Sequence, residues 1–235
     1  MKNSKDLFPE IDAWEGKLFY PLANYSTFVR NKYDFDAIAQ RSAAVNGHAG
    51  VIEFDLYILG EYIEFFGIKK VIELGCGTST KFLRTFEDIE VHTYAIDCDN
   101  QDPGPIEHDN HTLTFLDISE NNISTIVEAA KDADLIVIDA DHEQKFVELY
   151  YKKLLCEVKK PAFIHDFFIT KNVWSEELYL KEVLVEENEF SIFITTDLPP
   201  SCFEIMENLT GADLGGSNVP TRPVPCCSVI IEPIK

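Results

Sequence analysis

The stretch Val71-Ile-Glu-Leu-Gly-Cys-Gly-Thr-Ser-Thr80 decides the fold class. Its first four residues are apolar but for Glu73 and read as a buried strand. The strand ends in a Gly-Cys-Gly bend, and a helix opens near Thr78 to Thr80. Glycine suits Gly75 and Gly77 because a side chain would hold a ligand off the backbone and the bend requires permissive dihedrals. The first amides of the helix face an anionic part of such a ligand. A dinucleotide fingerprint would carry a third glycine three positions further on, and Thr80 stands there instead. Glu73, just before the bend, suits a ligand bearing an ammonium and a sulfonium group and no pyrophosphate.

Downstream of this bend the chain alternates apolar, β-branched runs with helical patterns. The strand candidates are residues 71–74, 91–96, 112–116, 134–138 and 162–164. Between them, Ile123, Ile126, Val127 and Ala130 recur at helical spacing, as do Phe146, Val147, Tyr150 and Leu154. Such alternation requires parallel strands joined by right-handed crossovers. Upstream, Ile52, Leu56, Leu59, Ile63 and Phe66 form one apolar stripe of an amphipathic helix, which Gly67 ends. A further helix is expected at 175–185, then a strand at 190–195, a Pro/Gly-rich loop at 198–225 and a last strand at 228–231. Two strands with no helix between them pair antiparallel. The expected fold is therefore α/β: a Rossmann-like, doubly wound sheet of seven strands with an antiparallel last strand.

With 235 residues, 46% of them hydrophobic and 12% aromatic, the chain is long and apolar enough for one α/β domain. Residues 49–235 form that domain. Residues 1–48 fit neither pattern and are rich in rings (Phe8, Trp14, Phe19, Tyr20, Tyr25, Phe28). They are expected to pack on the core, to cover the site as a lid, or to meet a second subunit in a homodimer. The first ten residues hold charges and a proline but no apolar run, and the richest apolar stretch, 57–68, is broken by Glu61 and Glu64. Neither a secretory signal nor a membrane span is expected, and the expected compartment is the cytoplasm. A net charge of -21 repels phosphate backbones and anionic lipid, which argues against nucleic-acid and membrane partners and for a small-molecule substrate. The six cysteines (Cys76, Cys98, Cys156, Cys202, Cys226 and Cys227) show no CxxC pair and no zinc spacing, and read as reduced thiols. His108 and His111, beside Pro103 and Pro105, read as a solvated loop.

Acids recur at successive strand ends. Asp97 closes the second strand about 20 residues beyond the glycines, where a carboxylate holds a ribose diol. Asp117 closes the third; it can accept from an adenine amino group while the amide of Ile118 faces the ring. The segments Glu-Leu-Gly-Cys-Gly-Thr (73–78), Ile-Asp-Cys-Asp (96–99), Asp-Ile-Ser (117–119) and Ile-Asp-Ala-Asp-His (138–142) resemble the successive motifs of class I S-adenosylmethionine-dependent methyltransferases. The closing antiparallel pair is that family's hallmark, and the resemblance runs from about residue 51 to the carboxy terminus. It implies S-adenosylmethionine as cofactor, with contacts at Glu73, Gly75, Cys76, Gly77, Ser79, Asp97, Asp117, Ile118 and Asp139.

The ends of strands four and five, Ile138-Asp-Ala-Asp-His142 and Phe163-Ile-His-Asp-Phe167, are similar to the small-molecule O-methyltransferase branch, which includes enzymes with an Asp-Gly-Asp-His-like motif. That likeness implies methylation of a hydroxyl on a sugar, phenol or biosynthetic intermediate. It also implies a divalent metal such as Mg²⁺ at Asp139 and Asp166. Here the sequence departs from the metal-dependent pattern, because Phe167 stands where an asparagine ligand is usual and offers no oxygen. A hydroxyl is a poor nucleophile at neutral pH and needs a base or a cation. His142 is the first base candidate and His165 the second; Asp139 completes the catalytic set. Each has a plainer reading: Asp139 as the cap of a helix starting near Asp141 and Glu143, His165 as a core histidine. The alternatives to O-methylation are N-methylation of a small amine, an NAD(P)-dependent oxidoreductase, and a silent cofactor-binding scaffold.

Overall fold

A computed structural model of the chain describes residues 19–21, 53–96, 109–141, 143–165, 189–194 and 228–234. Its centre is β2 (Lys70–Leu74), whose last four residues are buried, flanked by parallel β3 (Glu90–Ala95) and β5 (Leu135–Ile138). Beyond β3 lies β4 (His111–Phe115), and beyond β5 lies β6 (Ala162–Ile164), both parallel. All four residues of β5 are buried, as expected of a strand covered on both faces. The sheet then reverses: β8 (Val229–Pro233) runs antiparallel between β6 and β7 (Phe190–Ile194). The seven expected strands are present, each displaced by at most two residues from its expected limits. An eighth, β1 (Phe19–Pro21), pairs parallel outside β7, giving the order β1-β7-β8-β6-β5-β2-β3-β4. It comes from the aromatic segment, whose other residues lie outside the described ones, as does the expected helix at 175–185.

Two helical layers cover the sheet. On one face α1 (Glu53–Phe66) and α2 (Thr78–Leu83) bury Leu56, Leu59, Ile63 and Phe82 against Val71, Val137, Phe163 and Ile230. On the other, α3 (Ile123–Ala130) and α4 (Gln144–Tyr150) set Ile126, Val147 and Tyr150 against Ile72, Leu74, Ile136, Ile138 and Ile164. Alternate residues of each strand therefore face different layers. At about 1.5–3 kcal/mol for each fully buried aliphatic side chain, these two faces are what drives the sheet together. α4 runs on through a π-type turn (Tyr151–Leu155) into α5 (Cys156–Val158), so the apolar spacing from Phe146 to Leu154 is carried by more than one kind of helix.

The expected stop at Gly67 has a specific cause. Gly67 adopts φ +66, its N–H donates to Glu64 O at 3.3 Å, and the N–H of Ile68 donates to Ile63 O at 3.0 Å. This is a Schellman end, which needs a left-handed residue at that position. Asp134 fixes the entry of the central strands by accepting from the N–H groups of Lys69 and Lys70, each at 2.9 Å. At the far end, the phenol of Tyr62 on α1 donates to Glu232 Oε1 on β8 at 2.6 Å, tying helix to sheet.

Among the described residues no helix is long and apolar enough to cross a membrane. Two expectations from the sequence are corrected. His111 is no solvated loop residue: it begins β4 and is buried. Cys76 is not a free thiol but is disulfide-bonded, to a residue outside the described ones. Spacing along a chain says nothing of which cysteines meet in space.

Candidate active site

The parallel strands β2 to β6 all end on one edge of the sheet, and the residues just past them form a row. Asp139 N–H donates to Leu74 O at 2.9 Å, and His165 N–H donates to Ile138 O at 2.9 Å. Gly75, Asp139 and His165 thus stand side by side. Continuing the alternation of Glu73, Val137 and Phe163, they belong to the face covered by α1 and α2. Gly75 has φ +97, and a Cβ there would lie 1.7 Å from the Asp139 carbonyl oxygen. Glycine is therefore demanded by the backbone of the neighbouring strand end, a reason that the sequence did not supply. Gly77 opens α2, where its N–H donates to Thr80 Oγ1 at 2.9 Å.

Glu73 is fully buried, and three hydroxyls converge on it. Ser79 lies 2.7 Å from Oε1, while Thr80 at 2.9 Å and Thr93 at 2.6 Å reach Oε2. Burial raises its carboxyl to about 7, against the lowering effect of the Thr93, Ser79 and Thr80 hydroxyls and with a smaller raising effect from the Asp139 charge. Ser79 Oγ also lies 3.0 Å from Asp139 Oδ2. One hydroxyl carries one proton, so it donates to both carboxylates in turn unless Glu73 is protonated and donates to it. With the proton on Glu73, the chain Glu73–Ser79–Asp139 is satisfied throughout.

Thr80 thereby gains a reason. The residue at the third glycine position of a dinucleotide loop here bridges Glu73 and the Gly77 amide, so the loop is braced from inside by hydroxyls. Thr93 Oγ1, which donates to Glu73, stands 2.8 Å from His111 Nε2 and so accepts from it. The bridge that makes His111 part of this network spans 18 residues and two strands, and no local signal announces it.

The other candidates are placed as follows. Asp117 is exposed just past β4, and its carbonyl accepts from Asn122 Nδ2 at 2.7 Å. Ile118 is half-buried and lines a cleft of about 600 Å³ with Phe146, Leu149, Glu120, Asp141 and Glu143. Glu148 and three lysines, Lys145, Lys152 and Lys153, also line it, so an apolar wall stands among charges of both signs. Cys76 is half-buried, Ser79 fully buried, and Asp139 half-buried. Asp139 does not cap α4, whose N-cap is Glu143 with no side-chain capping bond; Asp141 Oδ1 accepts from the Glu143 N–H at 2.9 Å in a turn just ahead of the helix. His165 is buried beside Ser228. Asp97, His142 and Asp166 lie outside the described residues. Among the described residues no group of three or more His, Cys, Asp and Glu side chains is disposed to hold a metal, and of the two expected metal ligands only Asp139 is among them.

No protein-family model matches this sequence, and no curated protein matches it. Solved structures do. An O-methyltransferase from Bacillus cereus, determined with S-adenosylhomocysteine, superposes with a TM-score of 0.54 over 90% of this chain and 94% of its own, at 13% identity. A candidate caffeoyl-CoA O-methyltransferase from Staphylococcus aureus gives 0.51 over 86% and 93%, at 14% identity. A candidate O-methyltransferase from Klebsiella pneumoniae gives 0.51 over 90% and 94%, at 12% identity. The chain has the fold of these proteins.

Proposed function

We propose that this protein is an S-adenosylmethionine-dependent methyltransferase acting on a hydroxyl of a small molecule. The observation that carries the reading is the braced Gly-Cys-Gly bend standing beside Asp139 on a sheet edge lined with acids, in a fold shared with an O-methyltransferase solved with S-adenosylhomocysteine. At the loop, Ser79 holds the half-buried Asp139 carboxylate, which suits a cation, and the cleft beside Ile118 offers an apolar wall of Phe146 and Leu149 among charges of both signs. Asp97 would hold the ribose diol, and Asp117 with the Ile118 amide the adenine.

Bound S-adenosylmethionine supplies an electrophilic methyl group on sulfur. What the chain must add is alignment of the acceptor oxygen with the carbon–sulfur bond, exclusion of water, and a place for the hydroxyl proton. His142 is assigned to the proton, with His165 as the second candidate and Asp139 beside both in sequence or register. Asp139 and Asp166 would be the oxygen donors for a divalent ion, which would lower the pKa of the acceptor hydroxyl. The deciding experiment is calorimetry with S-adenosylmethionine, S-adenosylhomocysteine and NAD(P). Binding of the first two and not the third, followed by release of S-adenosylhomocysteine with a panel of hydroxylated compounds, is the expected result. Absence of affinity for both sulfur ligands overturns the proposal.

A further inference from the structure

Cys76 stands at the middle of the Gly-Cys-Gly bend, half-buried, with its sulfur in a disulfide. The bonded residue lies outside the described ones. Of the other cysteines Cys156 is free, which leaves Cys98, Cys202, Cys226 and Cys227.

Sheet geometry ranks these four. Gly75 N–H donates to Tyr94 O at 2.8 Å, continuing the parallel β2–β3 ladder in which Leu74 sits opposite Tyr94. Cys76 is therefore about level with Ile96, one strand spacing of about 4.8 Å away. Cys98 follows Ile96 by two residues, which span at most about 7 Å. A turn of the chain toward β2 brings the two α-carbons within the roughly 4.4–6.8 Å that a disulfide demands. The other three start further off. Ser228 lies beside His165, at the end of a row in which β8, β6, β5 and β2 follow one another, so it is about 14 Å from the bend. Cys227 is one residue from Ser228, about 3.8 Å, and does not close that gap. Cys226 would reach only by crossing the sheet edge at full stretch. Cys202 follows Ile194, the last residue of β7, which is four strands from β2, so it has the longest tether to close.

A link from Cys76 to Cys98 falls between two proposed cofactor contacts. Cys76 separates Gly75 from Gly77, and Cys98 follows Asp97, to which the ribose diol is assigned. A ring touching both the bend and the end of β3 needs them about 7–8 Å apart, two carbon contacts of about 3.5–4 Å. A disulfide holds its α-carbons closer than that. Bond and ribose therefore compete for one span.

We propose that Cys76 and Cys98 form a reversible disulfide that closes the cofactor seat, and that reduction by a dithiol opens it to S-adenosylmethionine. This rests on the methyl-transfer reading. Opening is thiol–disulfide exchange at a half-buried, reachable sulfur. A thiolate of the dithiol attacks one sulfur, the bond between Cys76 and Cys98 breaks, and a mixed disulfide forms. The second thiol of the reductant then displaces the remaining cysteine. Cys76 and Cys98 end as thiols, having gained two electrons and two protons, and the dithiol ends as a cyclic disulfide. By linkage, a cofactor that fits only the open form favours the thiols.

The test uses the full chain treated with glutathione disulfide or with dithiothreitol. After the first treatment, tryptic mapping without reductant should join peptide 71–81, with Cys76, to peptide 85–131, with Cys98. Cys202, Cys226 and Cys227 all fall in peptide 182–235, because Arg222 precedes Pro223. Calorimetric affinity for S-adenosylhomocysteine should be at least about tenfold higher after dithiothreitol. Cys98→Ser should bind like the reduced native chain under both treatments, whereas Cys202→Ser should keep the native response. A join of 71–81 to 182–235, no join at all, or an affinity equal or lower after dithiothreitol overturns the inference. No affinity under either treatment strikes the methyl-transfer reading, and the gate with it, while the mapped bond still shows whether Cys98 is the partner.

Discussion

Replacing Glu73 with glutamine should abolish a large part of the pH dependence of stability between weakly acidic and weakly basic solution. The native carboxyl sits at about 7 in the fold against 4.5 for an unperturbed group, raised first by burial. Below the lower value both folded and unfolded chains hold the proton, and stability does not change through this group. Between the two values the unfolded chain releases the proton while the folded chain keeps it, so rising pH favours unfolding. Each pH unit across that window removes roughly 1.4 kcal/mol, for a total of about 3 kcal/mol. Above it both states are ionised and the loss is constant. Because Glu73 is fully buried, solvent screening does not shrink this figure. Glutamine fits the same space and keeps an oxygen for Thr80 and Thr93. Its amide donates to Ser79, which frees the serine proton for Asp139. The assay is urea unfolding of the native and Glu73→Gln chains at about pH 5 and about pH 8, compared as a difference of differences so that all other titrating groups cancel. The native chain should lose about 3 kcal/mol more than the variant over that interval. Parallel pH profiles would refute the claim that Glu73 holds its proton in the fold.

Gly75→Ala should cost about 3 kcal/mol or more in urea unfolding and abolish S-adenosylmethionine binding, since the new methyl would stand 1.7 Å from the Asp139 carbonyl oxygen at a positive φ. Unchanged stability would mean that the strand ends separate easily. Tyr62→Phe, which removes the 2.6 Å bond to Glu232, should lower stability by about 1–2 kcal/mol and leave ligand binding unaltered. If Asp97 holds the ribose diol as proposed, Asp97→Ala should weaken S-adenosylmethionine about tenfold or more by calorimetry. His142→Ala should slow turnover by about a hundredfold with that affinity intact; normal turnover would remove His142 as the base.

Much of the fold was legible because it rests on local pattern. Four consecutive apolar residues in β5, the stripe along α1 and the glycine after it are each set by a handful of neighbours in sequence. Residues whose position depends on pairing between distant strands were not. His111 read as loop because Pro103 and Pro105 are near it in sequence, whereas its burial follows from lying against Thr93 on β3. β1 is three residues long and, among the described residues, pairs with β7, so it left no periodicity to read.

The candidate site divides in the same way. Glu73, Gly75, Ser79 and Asp139 stand out in the sequence because strand, bend and helix follow in order, and a parallel sheet brings its strand ends to one edge. That much is dictated by chain order and by the period of the apolar residues. Which atoms each side chain meets there was decided by the tertiary structure alone. Gly75 answers to a neighbouring carbonyl, and Thr80 and Thr93 to a buried carboxylate. His165 answers to Ser228 and Asp55, partners separated by 173 residues. Hydrogen bonds and charge burial are fixed by distances of a few ångströms between atoms that packing brings together, and such distances have no counterpart in the order of residues along a chain.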